Sequence, residues 1–309
     1  MRLWHARIAA ASTIAAIHVG AVTEQPPSAD AAWQDEEPLL RAAAASPTLS
    51  AKIFNPAGSV RLVGWDKDSI VVRGRVARGE RFQFALDGNG ARLGVVDAKL
   101  GILDRGADET AGACTFIIYF PKHGSVSVKT VTASITASDV SGWFYSVSGA
   151  IHLAGTATRA EVESMRGDVA LDLVTPWVHG RTGDGHLLLR GAPQDADVST
   201  VAGTLDVAAP SLLRGQFGSV SGDIHYAGKP ARGAIFEFSN HSGSVDLAMP
   251  ATVSGVFALS SIGGAIENGF TEVRPIASAS HSLRLSLGRG EAQVTVRTFK
   301  GAIRLRPAS

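Results

Sequence analysis

The chain has 309 residues, enough for one large domain or two small ones with a sizeable core. Its 29 basic and 28 acidic residues leave a net charge of +1, which argues against the basic surface on which nucleic-acid affinity rests. Glycine is high at 34 residues, aromatics make up 6%, and short Val/Ile/Leu alternations outnumber helical patterns, so the composition points to an all-β chain rich in turns.

Residues 1–21 read as a secretory signal peptide. Arg2 and Arg7 give a charged start, Ile8 to Val19 is a short apolar run, and Val19-Gly20-Ala21 offers small residues for cleavage. The run is too short to span a bilayer, and no cysteine follows it to carry a lipid anchor. Residues 22–50, with "EQPPSADAAWQDEEP", are expected to form a disordered linker. Export to the periplasm or cell surface is the localisation this implies, with no transmembrane span in the mature chain.

Residues 51–120 carry "AKIFNPAGSVRLVGWDKDSIVVRGRV", "RFQFALDGNGARLGVV" and "CTFIIYFPKHGSVSVKT". They predict longer strands joined by turns, an antiparallel meander that caps the next segment and shields its edge from another molecule. Gly58 with Val60 and Leu62 is an early echo of the pattern that follows. Cys114 is the only cysteine and sits in an apolar run, so it reads as a small buried hydrophobe, with no internal disulfide or multi-cysteine metal site.

Residues 121–309 are built on the phrase S-x-x-G. It recurs as "SVSGAIHL" at Gly149, "SMRGDVAL" at Gly167, "TGDGHLLL" at Gly185 and "TVAGTLDV" at Gly203. It continues as "SVSGDIHY" at Gly222, "NHSGSVDL" at Gly243, "SIGGAIEN" at Gly264 and "TFKGAIRL" at Gly301. A weaker unit has Ala133 in the glycine's place. The spacings are 18, 18, 18, 19, 21 and 21 residues, then 37. Such a period marks a stacked-repeat architecture.

Two and four residues after each glycine stand mostly apolar residues such as Ile151 and Leu153, with a mostly polar residue between them. Five residues before it stand Phe144, Val162, Val198, Phe217, Phe238, Leu259 and Val296, with Gly180 the one gap. Each unit is therefore strand, turn, strand, turn, with alternate side chains directed at one interior. Three residues before each glycine comes Ser146, Ser164, Thr182, Thr200, Ser219, Asn240, Ser261 or Thr298. These read as structural turn residues that bond nearby backbone, with a glycine taking a conformation others resist, and as a ladder in which each member satisfies the next. The expected fold is a β-solenoid of about 18-residue coils, because one coil cannot bury its apolar face without neighbours. A β-sandwich is the alternative, but it has no reason to keep the period. After Gly264 the sequence predicts a hairpin turning at Gly288-Gly290, then a last coil. The basic run Arg289, Arg297, Arg304 and Arg306 reads as a solvated strand face.

"FNPAGSVRLVGWDKDSIVV", "FIIYFPKHGSVSVKTVTASI" and the serial S-x-x-G units resemble the DUF4097 family, also labelled putative adhesins, over roughly Lys52 to Arg306. The resemblance implies an exported or envelope-associated β-repeat protein with no catalytic residues to carry over. Ala133 and the 37-residue gap depart from the family pattern.

For chemistry, the strongest acid candidates are Asp168 and Asp184, one coil apart, with Asp195 and Asp197 in a nearby turn. A glycoside hydrolase would need such a pair at a defined separation. Turns favour Asp for backbone bonding, which explains these residues without catalysis. His152 and His225 share a repeat position four coils apart and are expected to face water; His179 and His186 could approach one another but lack a completing ligand. No catalytic, cofactor-binding or metal residue is assigned. Trp143 and Trp177, at or near outward positions, could stack on sugars or partners, or seal the core edges. The function expected is a non-catalytic adhesin-like or envelope-associated scaffold binding a polysaccharide or envelope protein; the alternative is a carbohydrate-active β-helix enzyme.

Overall fold

The structure is a computed structural model and describes residues 36–96, 112–210 and 212–308. The signal-peptide reading, and the linker reading up to residue 35, lie outside the described residues. All strands and turns and no helix make up the described residues, so the chain is all-β. No helix there is long and apolar enough to cross a membrane.

Each repeat supplies one strand before its S-x-x-G turn and one after it, and these enter two different ladders. In the first ladder Ser141–Ser146 pairs in parallel with Ala160–Ser164, which pairs in parallel with the far half of Val169–Thr182. In the second ladder Ile151–Thr156 pairs in parallel with the near half of that long strand. Val169–Thr182 and Leu187–Thr200 pass through both ladders unbroken.

The register follows the repeat. Ile151, Val169, Leu187, Leu205, Ile224 and Val245 stand in one file, each beside the next. Phe144, Val162, Gly180, Val198, Phe217 and Phe238 stand in the other. The apolar members of both files are at most 2% exposed. At roughly 1.5–3 kcal/mol per buried side chain, these files offset the entropy of ordering the rungs. Gly180 leaves no void, because a Cβ there would already lie 3.1 Å from Val198 and 3.3 Å from Leu171. Further along, Phe217 and Phe238 stack at 4.7 Å and Tyr226 fills the space beside them at 6.2 and 5.8 Å.

The repeat glycines are not where they are for the conformational reason the sequence suggested. None of Gly149, Gly167, Gly185, Gly203, Gly222, Gly243, Gly264 and Gly301 has a positive φ. Their common property is closeness. A Cβ on Gly167 would lie inside the carbonyl oxygen of Gly149, and one on Gly203 inside that of Gly185. The rungs approach so tightly that a Cβ at any of these eight positions would overlap the backbone of the neighbouring rung.

The hydrogen-bonding residues of the turn bond backbone and not each other. Ser146, Ser164 and Ser261 Oγ each accept from the N–H of the glycine three residues on at 2.8 Å, and Asn240 Oδ1 does so at 2.9 Å. Thr182 Oγ1 donates to Gly167 O of the neighbouring rung at 3.2 Å, Thr298 Oγ1 to Gly301 O at 2.7 Å, and Thr200 Oγ1 to Gly203 O. Ser219 Oγ is the buried exception with no partner.

Two rungs sit out of chain order. Ser50–Asn55 and Gly58–Trp65 pair in parallel with Ser125–Thr130 and Ser134–Ser138 on one side. On the other side they pair in parallel with Gly90–Val96 and Cys114–Pro121. Residues 51–120 are thus not an antiparallel meander: two regular rungs come from them, and the antiparallel strands there are Ser69–Ala77 and Arg81–Asp87. Glu36–Ala44, within the segment expected to be a linker, pairs antiparallel with Ser69–Ala77 and closes that end.

The last rung is also displaced. Ala292–Thr298 lies between Ile235–Asn240 and Gly255–Ser261, and Ile303–Pro307 between Val245–Met249 and Ile266–Asn268. The 37-residue gap holds the strands Ala277–Ala279 and Ser282–Leu287; the latter pairs antiparallel with Gly255–Ser261 and covers that edge. An unpaired edge invites another chain, and both ends are capped in this way in the first ladder.

Candidate functional site

Outward side chains of the first ladder form one broad face. Trp143, Glu161, His179 and Asp197 are in register across successive rungs. Because alternate residues of a strand share a face, Tyr145 stands beside Trp143, and Trp177 beside His179. The Trp143 and Tyr145 rings stack at 5.5 Å, and those of Trp177 and His179 at 5.8 Å.

The two pairs differ in what surrounds them. The Arg159 guanidinium lies 4.0 Å from the Trp177 ring centre and 3.5 Å from Glu161 Oε2, while His179 Nδ1 lies 3.2 Å from Asp197 Oδ2. Trp177 is thereby built into a network spanning three rungs. Trp143 and Tyr145 are half-buried, with their mutual stacking the aromatic contact they make. Asp195, in register with Trp177, holds Arg214 at 3.1 Å.

Asp168 is exposed at the start of its strand, and its Oδ1 accepts from the N–H of His186 on the next rung at 2.8 Å. Asp139 does the same for Thr156 at 2.8 Å and Asp223 for Ser244 at 2.7 Å. Three carboxylates thus cap three rung-to-rung steps, a local role for a short acceptor at a turn. Asp184 is exposed within the turn itself.

His152 and His225 are exposed and share an outward file of the second ladder, separated by Ala170, Leu188 and Asp206. His179 and His186 do not form a pair: His186 Nε2 bonds Asp206 Oδ2 at 2.6 Å, and His179 holds Asp197 on the other ladder. Among the described residues no three His, Cys, Asp or Glu side chains are grouped to hold a metal ion. Cys114 is fully buried, in register with Gly58 at the end of the glycine file.

The return loops at the far end enclose an open groove of about 1090 Å³. Val253, Phe270 and Leu287 contribute apolar surface, and Lys229, Arg232, Arg289, Glu272 and Glu291 contribute charge, with Arg232 and Glu291 3.5 Å apart. The sequence reading did not find this groove, because its loops come from repeats far apart in the chain.

A second surface was also missed, although its signal is in the repeat. The residue after each turn Ser, Thr or Asn is Val147, Met165, Gly183, Val201, Val220, His241, Phe299 or Ile262 in the spatial order of the rungs. Met165, Val201, Val220, Phe299 and Ile262 are 43–62% exposed. They form an apolar ridge along the turn edge. The phrase is defined by its first and last letters, and the letter after the first is apolar in six of the eight units.

No protein-family model and no curated protein matches the chain. Among solved structures it is similar to a putative lipid binding protein from Parabacteroides distasonis, with 10% identity over 89% of this chain and 98% of that one, at a TM-score of 0.54. It is also similar to a putative adhesin from the same organism, at 9% identity over 87% and 97% of the two chains and a TM-score of 0.42. A putative adhesin from Bacteroides fragilis matches at 13% identity over 87% and 96%, with a TM-score of 0.35. The likeness to the first of these shows the fold alone.

Proposed function

We propose that this chain is a non-catalytic, exported β-solenoid, with residues 1–21 as its export signal, that acts as an adhesin-like or envelope-associated scaffold. Its partner is a polysaccharide, met on the outer face of the first ladder. The half-buried Trp143–Tyr145 pair carries this reading: aromatic rings standing on a flat ladder offer apolar area and a polar tip where sugars present alternating C–H and O–H groups. The acids and imidazoles support binding over reaction: His179 on this face, and Asp168 and His186 on the other ladder, each hold one rung to the next.

The test is retention of the protein on immobilised envelope polysaccharides, alongside an assay for released sugar. Retention that is lost in Trp143→Ala, without sugar release, supports the proposal. Release of sugar that vanishes in Asp168→Asn or Asp184→Asn overturns it in favour of a carbohydrate-active enzyme. Retention on an envelope protein and on no polysaccharide replaces the partner named here.

A further inference from the structure

The ridge on the turn edge points to a second use of the molecule. We propose that it is the contact between two copies of this chain, packed antiparallel about a two-fold axis at Val220. This surface is separate from the aromatic face and does not depend on the polysaccharide reading.

The ridge is rigid before it meets anything. Ser221 N donates to Val201 O at 2.8 Å, Ser242 N to Val220 O at 2.9 Å, and Lys300 N to His241 O at 2.9 Å. The Ser221 and Ser242 hydroxyls reinforce the first two at 3.2 and 3.1 Å. Ordering costs on association are correspondingly small. A file of side chains repeating at roughly 4.8 Å fits, along its length, a surface with the same repeat, and a second copy supplies one.

Antiparallel packing centred on Val220 also makes the ridge complementary to itself. Two rungs to one side of Val220 is Gly183, the one position without a side chain; two rungs to the other side is Phe299, the largest. Phe299 of each copy therefore enters the gap at Gly183 of the other. Beside that contact, on the same flank, Asp184 faces Lys300, and both are exposed. Arg181 and Arg297 also stand opposite each other, but as outward residues of the first ladder, where Arg297 is held by Glu237 at 2.6 Å. From Val201 onward the flank is Ala202, Ser221, Ser242 and Gly263 except for Lys300, small enough for close approach.

Such a ribbon hides on the order of 400 Å² per copy, about half of a standard interface, so the dimer is weak and concentration-dependent. A two-fold contact is isologous: Val220 meets Val220, while Val201 meets His241.

Sedimentation of the full chain over a hundredfold concentration range tests this. The expected result is a rise toward dimer mass that Val220→Asp abolishes, with an unchanged circular dichroism spectrum. Asp184→Lys and Lys300→Asp each weaken dimerisation at least several-fold, and the two combined in one chain restore it. On oxidation Val220→Cys crosslinks to dimer and Val201→Cys does not. A wild-type chain that stays monomeric throughout overturns the proposal, as does a charge exchange that fails to rescue. Loss of the dimer signal to ridge-dependent flotation with anionic phospholipid vesicles makes the edge a membrane contact instead.

Discussion

Val296 lies directly beside Phe238 in a parallel pair, although the strands Val245–Met249 and Gly255–Ser261 come between them in the chain. The final rung therefore fills a slot whose two walls are already made. Both of its edges gain backbone partners, which a terminal rung at the end of the stack would not have.

This position sets a ranking of core substitutions. Phe238→Ala, which removes a ring packed against Phe217 and the inserted rung, is expected to cost about 3–5 kcal/mol. Ile266→Ala, in the half-buried end rung, is expected to cost less than about 2 kcal/mol. Urea denaturation of the two variants gives the comparison, and equal losses would contradict it.

The glycine file makes a second ranking. Gly203→Ala forces a Cβ into the Gly185 carbonyl and is expected to destabilise by about 1–3 kcal/mol. Ala133→Gly, at the file's natural alanine, is expected to cost no more than about 1 kcal/mol. Thermal melting of both reads the difference.

Tyr226 is buried among Phe217, Phe236 and Phe238, and its hydroxyl has no hydrogen-bond partner. Tyr226→Phe is therefore expected to leave stability unchanged or to raise it, since the change removes an unsatisfied group. Burial pushes the phenol's pKa up. The folded state keeps the proton while the unfolded state gives it up, so stability is full below about pH 10 and falls above it. Stability curves measured across that range should fall less steeply for Tyr226→Phe than for the wild-type chain.

Asp168→Ala is expected to lose about 1 kcal/mol, the worth of one backbone cap to His186. A parallel loss in Asp223→Ala, which frees Ser244 N, would show that the two carboxylates do the same work. Chemical denaturation is the measurement. A far larger loss at Asp168 than at Asp223 would assign it another role.

The two tryptophans are expected to separate. Trp177→Ala removes the ring held between His179 and Arg159 and should lower stability by about 1–2 kcal/mol. Trp143→Ala should lower it less and abolish retention on polysaccharide. Melting temperature and column retention, measured on the same preparations, decide the matter.

Much of this molecule is legible in its sequence. The apolar positions flanking each glycine predict the two inward files, and Ile151, Val169, Leu187 and Leu205 stand side by side. The repeat glycine is legible but its cause is not: a close approach between rungs leaves no mark in one strand's pattern that distinguishes it from a turn with positive φ. The aromatic pairs are half-legible: Trp143, Trp177 and His179 stand out in the sequence, but Tyr145 does not, and nothing there pairs His179 with Trp177. The ridge is written in six of the eight repeats, yet an exposed Val or Ile looks like any other apolar letter until burial is known.

The amino-acid sequence alone determines the alternation and the length of each rung, because these depend on residues a few positions apart. Tertiary structure alone decided the order of the rungs at the two ends, with Ser50–Asn55 and Ala292–Thr298 each set one place inward. Every rung offers its neighbours the same edge of N–H and C=O groups and the same apolar file. A strand written in that common language can pair with any of them, and only the whole stack, with its caps and its filled slot, selects which.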